Sequence, residues 1–297
     1  MSLKPLLIFG KSGQVAQELA ARAGQAGFSA RMVGRDEADF TNPDSVALLA
    51  ETADAQAVIN AVAYTAVDQA ESDEDTARRV NAETPGRLAE TCARRDLPLI
   101  QISTDYVFDG TKSGAYLETD ETGPASAYGR TKLAGEDAVA AAGGTHLIVR
   151  TAWVYSAHGK NFVKTMLRLG AERDELNVVA DQTGCPTHAG DLAEGLLTAT
   201  RSVLEGRGEN GIYNLAGQGS TSWAGFADAI FDLAAPVWGR RPQVHPIPSS
   251  AYPVPAPRPK NSVLDCSRFA NTFGFSCPPW EASLARVLDE LAVTKRA

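Results

Sequence analysis

The chain has 297 residues, 44% of them hydrophobic and 22% charged, which is ordinary for a globular protein with one large domain or two closely packed ones. Its 36 acidic and 28 basic residues give a formal net charge of −8, which argues against binding to nucleic acid or to an anionic membrane surface. No segment approaches the roughly 20 apolar residues that span a bilayer, and the apolar run at the amino end is too short for a signal peptide, so we expect a cytoplasmic protein.

The first half of the chain alternates short apolar runs with helical patterns. Strands are predicted at 5–9, 28–34, 55–63, 97–104 and 145–155, and helices at 14–26, 43–53, 73–96 and 126–144. Asn42 and Pro43 stand where the N-cap and the first residue of the second helix belong. Because the strands are almost wholly apolar, we predict a parallel sheet that helices cover on both faces. The predicted fold class is α/β, a Rossmann-type doubly wound parallel sheet.

The second half of the chain is less regular. Helices are predicted at 160–172, 189–206, 221–235 and 278–295, a strand that leads into a turn at 176–188, and a further strand at 211–217. Prolines crowd residues 236–259, which predicts an irregular packed loop. We therefore expect a dinucleotide-binding domain at 1–152, to which 189–235 partly returns, and a smaller, more irregular α/β substrate domain built from 153–188 and 236–297.

A glycine turn joins the first predicted strand to the first helix. Gly10, Gly13 and Ala16 form the pattern GxxGxxA, in which the glycines let the backbone approach a pyrophosphate at the helix N-terminus. The pattern predicts dinucleotide binding, and the alternative is a purely structural turn. After the second strand, Arg35 stands beside Asp36. An acid there commonly binds the adenosine ribose and an arginine a 2′-phosphate, so NADPH and NADH both remain open.

A second group of candidate residues lies near the fourth strand and the helix that follows it. Tyr128 and Lys132 are four residues apart and share one helix face. An ammonium group beside the phenol is expected to lower the tyrosine pKa, and the lysine can also hold ribose hydroxyls. With the ribose held by Lys132, Tyr128 could face a carbonyl group of a substrate. Thr104 ends the preceding strand, and its hydroxyl group could bind the oxygen of that carbonyl group. The alternative is an ordinary pair of neighbours on a helix surface.

Trp153 follows the end of the next strand, so we expect it at the crevice that lies along the carboxyl ends of the parallel strands. On spacing alone it is equally well explained as an aromatic residue of the core. The four cysteines and four histidines are scattered without a ligand spacing, so the sequence assigns no metal site and the metal content is unknown.

Several motifs occur together in a characteristic order. They are the glycine turn, STDYVFDG at 103–110, the Tyr128 and Lys132 pair, and RTAWVY at 150–155. This set resembles the extended short-chain dehydrogenase/reductase family, and the likeness continues through DQTGCPT at 181–187 and RPKNSVLD at 258–265, so it covers nearly the whole chain. More specifically, the chain is similar to members that reduce a 4-keto sugar nucleotide carrying thymidine diphosphate.

The resemblance implies hydride transfer from NADPH or NADH to C4 of dTDP-4-dehydro-L-rhamnose, which yields dTDP-L-rhamnose. Tyr128 would donate the proton, Lys132 would lower its pKa and bind the nicotinamide ribose, and Thr104 would polarise the carbonyl. Asp105 and Trp153 would contact the sugar. The implied cofactor-binding residues are Gly10, Lys11, Ser12, Gly13, Gln14, Val15, Arg35, Asp39, Phe40, Ala61, Val62, Ala63, Thr65, Tyr128 and Lys132. Some members of the family are Mg²⁺-dependent homodimers, but no ligand pattern assigns Mg²⁺ to residues of this chain.

Two other functions remain open from the sequence. The regulatory β subunit of methionine adenosyltransferase shares this fold and motif set, so a nucleotide pocket does not by itself imply turnover. A sugar-nucleotide epimerase or dehydratase that retains NAD is the second alternative. Dehydratases of the superfamily carry Glu after the Asp of their TDE motif, where this chain has Tyr106. This difference favours simple ketone reduction.

Overall fold

The computed structural model describes residues 4–294. Its strands are β1 (Leu6–Phe9), β2 (Ala30–Val33), β3 (Ala57–Asn60), β4 (Leu99–Thr104), β5 (His146–Thr151), β6 (Val154–Tyr155), β7 (Glu175–Val179), β8 (Thr183–Gly184), β9 (Thr187–His188), β10 (Gly211–Asn214), β11 (Thr221–Ser222) and β12 (Gln243–Ile247). Its helices are α1 (Gln14–Ala23), α2 (Pro43–Thr52), α3 (Val67–Ala70), α4 (Glu74–Arg78), α5 (Thr84–Arg94), α6 (Ala127–Ala141), α7 (Phe162–Glu172), α8 (Ala189–Leu204), α9 (Trp223–Trp238), α10 (Ser267–Phe273) and α11 (Trp280–Thr294). A π-helical turn (Arg79–Glu83) joins α4 to α5, and 3-10 turns cover Asp105–Val107 and Ser249–Ala251.

Six strands form one parallel sheet in the order β10-β5-β4-β3-β1-β2. Successive side chains of a strand point to opposite faces, and both faces of this sheet are buried. Ile8 of β1 points into a core that also contains Leu19 of α1 and Leu196 of α8. Its neighbour Leu7 points into a second core with Val46 of α2 and residues of α5. The predicted doubly wound α/β fold is therefore confirmed.

A smaller group of elements packs around a third apolar core. Helices α7 and α9 cover the pair β7 and β12, which run parallel to each other, and α11 packs on α9. At the centre of this core, Phe226 of α9 contacts the rings of Tyr155, Phe162 and Trp280. The segment after β5 leads the chain into this group, so its elements adjoin the carboxyl ends of the large sheet.

Three local features differ from the sequence-based expectations. The helix predicted at 73–96 is present but contains the π-helical turn. The strand predicted at 145–155 is interrupted, because Trp153 has a positive φ of 46° and cannot continue β-pairing. The expectation of irregular loop at 236–259 is wrong in part, since Pro236 lies in the last turn of α9 and β12 follows.

Proline in β12 has a physical explanation. β12 belongs to a two-stranded parallel pair, in which Pro246 lies opposite Val178. An edge strand leaves some backbone N–H groups outside the ladder, and proline is tolerated at such positions. The helix predicted at 278–295 is confirmed from Trp280 to Thr294, and Lys295 lies outside the described residues.

Candidate active site

The carboxyl ends of β1, β3, β4 and β5 surround a cavity of about 570 Å³, which we call the first cavity. Parallel α/β sheets bind their ligands at this edge. The sequence-predicted residues that line it are Ser12, Gly13, Gln14, Val15, Ala61, Val62, Ala63, Thr65, Thr104, Asp105, Tyr128, Lys132 and Trp153. The first cavity therefore brings the predicted catalytic and sugar-binding residues together with two segments predicted to hold a dinucleotide. The lining does not include Gly10, Lys11, Arg35, Asp39 or Phe40.

The glycine turn before α1 leaves room for a bound anion. Gly10 has a positive φ of 115°, and a β-carbon there would stand 3.2 Å from that of Ala16, so this turn needs glycine and a small neighbour. Gly13 caps α1 without a side-chain hydrogen bond, and a β-carbon at Gly13 would meet no atom within 4 Å. The unsatisfied N–H groups at the start of α1 thus border open space and suit a pyrophosphate.

The residues expected at the adenosine end of a dinucleotide follow β2. Arg35 is exposed. Asp36 forms an ion pair with Lys11 across 3.9 Å, which connects the loop after β2 to the glycine turn. An exposed guanidinium group at this position suits a 2′-phosphate.

Asp39 and Phe40 are placed differently from each other. The Asp39 carboxylate accepts hydrogen bonds from the backbone N–H and the hydroxyl group of Thr41, and these bonds lower its pKa. The Phe40 ring is buried and packs edge-to-face on Phe9 in the core. The Phe40 side chain therefore supports the sheet and does not face the first cavity.

Thr104 and Asp105 lie at the carboxyl end of β4. The Thr104 hydroxyl group donates a hydrogen bond to Asp105 Oδ1 across 3.0 Å and accepts one from the Tyr106 N–H across 3.2 Å. Asp105 Oδ2 is buried and makes no hydrogen bond of good geometry, and burial raises the pKa of Asp105 to about 7 although the nearby Ser262 and Thr104 hydroxyl groups act in the opposite direction. A buried acceptor without a partner is costly, so this carboxyl group is suited to a hydroxyl donor from a ligand.

Tyr128 lies in the first turn of α6, where the helix is pressed against the segment after β4. Ser126 caps α6 by accepting a hydrogen bond from the Gly129 N–H. A β-carbon on Gly129 would overlap the carbonyl oxygen of Tyr106, so only glycine permits this approach. Burial raises the pKa of Tyr128 to about 12, although its hydrogen bond with Thr104 acts in the opposite direction. Near neutral pH the phenol is therefore protonated.

Lys132 lies one turn further along the same face of α6. It is 3% exposed, and its ammonium group donates a hydrogen bond to the carbonyl oxygen of Ile102 across 2.7 Å. Burial lowers the pKa of Lys132 to about 8. Burial is the largest influence on the Tyr128 pKa and raises it, so the lowering expected from Lys132 stays a prediction.

A buried ion pair ties α6 to the sheet. Glu136, one turn after Lys132, pairs with Arg150 of β5 across 2.6 Å, and both side chains are 2% exposed. The hydroxyl group of Ser103 on β4 also donates to Glu136. The network therefore fixes α6 against the two strands whose ends carry the candidate site residues.

Trp153 stacks face to face on Trp223, with ring centroids 3.5 Å apart and planes 4° from parallel. Trp223 also lines a second cavity of about 730 Å³, formed by α7, β7 and residues of the 247–258 segment. In the described part of the chain, Trp223 is the one residue that lines both cavities. The two cavities thus adjoin at a wall made of indole rings.

Sequence reasoning missed some residues of the first cavity. Tyr106 packs edge-to-face on Tyr128 at 5.7 Å, and its position next to Asp105 was the available signal. Gly159 and Lys160 enter from the loop before α7, and Trp223 enters from the start of α9. For Trp223 the only local signal was an aromatic residue directly after the N-cap Ser222, which does not distinguish a site residue from a core residue.

Residues 4–294 contain no cluster of three or more His, Cys, Asp or Glu side chains that could hold a metal ion. No helix within the same residues is long and apolar enough to cross a membrane.

Known proteins similar to this chain match it over nearly its whole length. A family model described as the RmlD substrate binding domain matches residues 4–293. A dTDP-4-dehydrorhamnose reductase of Burkholderia thailandensis is 47% identical over 294 residues, which cover 96% of this chain and 98% of that protein. Crystal structures of dTDP-4-dehydrorhamnose reductases from Clostridium acetobutylicum and Bacillus anthracis, the latter in complex with NADP, have TM-scores of 0.89 and 0.90. They are 37% and 34% identical to this chain, and each match covers 97% of this chain and 99% of the solved chain.

Proposed function

Because the chain belongs to the RmlD substrate binding domain family, and the relatives described above are dTDP-4-dehydrorhamnose reductases, we propose that it reduces the C4 ketone of dTDP-4-dehydro-L-rhamnose to give dTDP-L-rhamnose. The chain is thus an NAD(P)H-dependent oxidoreductase. The observation that carries the proposal is the first cavity, where Thr104, Tyr128 and Lys132 meet the glycine turn.

In this proposal the bound dinucleotide supplies the hydride. The glycine turn from Gly10 to Val15 would hold its pyrophosphate, since the N–H groups at the start of α1 border open space. The small residues from Ala61 to Thr65 after β3 would lie along the nicotinamide half. Arg35 would pair with a 2′-phosphate, and the NADP complex of the Bacillus anthracis relative supports NADPH as the cofactor.

Two further residues belong to the adenosine end of this proposed site. Asp39 would accept hydrogen bonds there, although its present bonds go to Thr41. Phe40 would contribute through its backbone, because its ring is committed to the core.

Tyr128 would donate the proton to the C4 oxygen. Its raised pKa keeps the phenol protonated near neutral pH, so the donor carries the proton that the reduction consumes. Thr104 would turn its hydroxyl proton from Asp105 Oδ1 to the same C4 oxygen, because a hydroxyl group donates one hydrogen bond at a time. Lys132 would hold ribose hydroxyls with donors that Ile102 leaves free, because an ammonium group has three donors and this carbonyl uses one.

Asp105 and Trp153 would contact the sugar. The Oδ2 atom of Asp105 is buried without a partner and would accept a hydrogen bond from a sugar hydroxyl. Trp153 would present the part of its indole that Trp223 does not cover.

We assign the thymidine diphosphate to the second cavity, which adjoins the first at Trp223. Arg258 lines this cavity and is 17% exposed, and it pairs with Asp68 across 3.0 Å. A nearly buried guanidinium group with donors to spare is suited to a diphosphate. Tyr252 stands on the same wall with 60% of its surface exposed and could cover the base.

The alternatives from the sequence are less well supported. A regulatory subunit without turnover does not require a proton donor, a carbonyl-binding hydroxyl and a buried lysine on one cavity. A dehydratase needs an acid beside Asp105, and Tyr106 occupies that position with its ring packed on Tyr128.

The remaining expectations stay part of the proposal. We propose the division into a dinucleotide-binding domain at 1–152, with 189–235 partly returning to it, and a substrate domain at 153–188 and 236–297. The pairing of β10 with β5 supports the return. Action in the cytoplasm and a homodimeric state are also proposed from the family resemblance. No step of the reaction is assigned to Mg²⁺, because the described residues offer it no ligand cluster.

The experiment is a turnover assay with the purified full chain. The protein is incubated with dTDP-4-dehydro-L-rhamnose and either NADPH or NADH, and loss of the reduced-nicotinamide absorbance is followed. We expect oxidation with a higher kcat/KM for NADPH, and an Arg35→Ala variant that loses most of that preference. No oxidation with either cofactor would overturn the proposed function, and tightly co-purifying NAD would favour an epimerase or dehydratase instead.

A further inference from the structure

We propose that Trp223 is a positioning residue for the sugar nucleotide: it holds Trp153 in place and forms the wall along which the substrate passes from the second cavity to the first. This inference rests on the proposed function. Its basis is that a substrate occupying both cavities must pass the Trp223 indole, the surface that the two cavities share.

Trp153 has a backbone conformation that needs external support. Its φ of 46° lies in the left-handed region, which is rare for a bulky residue and persists only when the surroundings fix it. The parallel stack with Trp223 supplies one fixed surface. Gly184 supplies another, because a β-carbon there would meet the Trp153 indole at 2.5 Å. Trp153 is thus held by a ring and by a backbone that approaches closely.

The two supports of Trp153 belong to one small unit of structure. Gly184 in β8 lies opposite Thr221 in β11, and the residue after β11 is Trp223. Ser222 caps α9 by accepting a hydrogen bond from the Gly225 N–H across 3.0 Å. The backbone that carries the Trp223 ring is therefore fixed with respect to the backbone under Trp153.

The Trp223 side chain is also fixed from the side of the second cavity. Its Nε1–H donates to Gln182 Oε1 across 3.2 Å, and Gln182 Nε2 donates to Ser249 Oγ across 2.8 Å. Ser249 begins the segment that continues to Tyr252 and Arg258 along that cavity. This chain of contacts links the proposed diphosphate end of the substrate to the indole beside the reacting sugar.

The geometry predicts which kinetic constants depend on Trp223. Misplacement of a reacting group by about 1 Å can cost on the order of 100-fold in rate. Loss of the Trp223 ring frees Trp153 and widens the wall between the cavities, so both kcat and KM for the sugar nucleotide should worsen. The hydrogen bond from Gln14 of the glycine turn to this region goes to the Val154 carbonyl oxygen and not to the Trp223 ring, so NADPH binding should persist.

The test compares Trp223→Ala, Trp223→Phe and Trp280→Phe in the full chain. Trp280 is buried in the core that adjoins α9 and lines neither cavity, so it controls for loss of a core indole. We expect Trp223→Ala to lower kcat/KM for the sugar nucleotide by between about tenfold and 100-fold, with the NADPH Kd within about twofold of wild type. Trp223→Phe should recover part of the loss because it keeps a ring, and Trp280→Phe should retain wild-type kcat and KM.

A second variant moves Trp153 without removing any group. Gly184→Ala should lower kcat/KM for the sugar nucleotide and change the near-ultraviolet circular dichroism of the stacked indoles, with NADPH binding preserved. Wild-type kcat/KM in Trp223→Ala, or an equal fall in NADPH affinity, would overturn this inference alone. An inactive wild-type protein would overturn the proposed function and this inference with it.

Discussion

The Lys132 ammonium group donates a hydrogen bond to the main-chain carbonyl oxygen of Ile102 across 2.7 Å. The bond anchors the lysine to β4, two residues before Thr104, while burial lowers its pKa to about 8. An amine held this way keeps two further donors for hydroxyl groups of a ligand.

We expect Lys132→Met to weaken the cofactor and slow the reaction together. Methionine keeps most of the buried volume but removes every donor. NADPH Kd from fluorescence titration and kcat from turnover should both worsen, each by about tenfold or more, the scale of a lost hydrogen bond to a charged group. A variant with normal NADPH affinity would show that Lys132 does not hold the cofactor.

Tyr128→Phe should separate chemistry from binding. Removal of the phenolic hydroxyl takes away the proposed proton donor, so kcat should fall by roughly 10² or more. The NADPH Kd should stay near the wild-type value, because the ring and the start of α6 remain. Turnover close to wild type would mean that the proton comes from another group.

Asp105 makes folding stability depend on pH in a definite direction. Its folded-state pKa of about 7 lies above the ordinary value of 3.8, so the folded protein keeps a proton that the unfolded chain loses. The contribution of Asp105 to the free energy of unfolding is fully present below pH 3.8, and it is lost as the pH rises from there through 7. Relative to Asp105→Asn, the wild type should lose on the order of 4 kcal/mol between pH 4 and pH 8. Urea unfolding of both proteins at several pH values measures this, and a constant difference would contradict it.

The buried Glu136 and Arg150 pair should be essential to stability. Glu136→Gln leaves the guanidinium buried and uncompensated, which should cost about 3–5 kcal/mol in urea unfolding. The matched control is Glu172→Gln, whose pair with Arg168 is exposed at 59% and 62%. The control should cost less than about 1 kcal/mol. Equal losses in the free energy of unfolding for the two substitutions would show that the buried ion pair stabilises the protein no more than the exposed one does.

The sheet and its cofactor turn follow from local sequence signals. Short apolar runs such as 5–9 and 97–104 predict buried strands, and the glycines after β1 mark where a backbone must bend and a ligand can approach. The spacing of Tyr128 and Lys132 is enough to place them on one helix face. The strand predicted to end at Thr104 is β4, which ends at that residue. These features were predictable because each depends on neighbours in the chain.

The second cavity was not predictable in this way. It is formed by α7, by β7 and by the proline-rich segment, whose partners are far away in the sequence. The stack of Trp153 on Trp223 joins residues 70 positions apart, and the positive φ of Trp153 leaves no mark in composition. The burial that raises the pKa of Tyr128 was not predictable either, since the spacing to Lys132 shows only a shared helix face.

The central claim is hydride delivery to C4 with proton donation by Tyr128. Its most direct test is turnover of dTDP-4-dehydro-L-rhamnose with NADPH that carries deuterium at the transferable position of the nicotinamide, followed by nuclear magnetic resonance of the product. We predict one deuterium at C4 of dTDP-L-rhamnose with the wild type and only trace product with Tyr128→Phe. A product without deuterium at C4, or full labelling by Tyr128→Phe at the wild-type rate, would contradict the account.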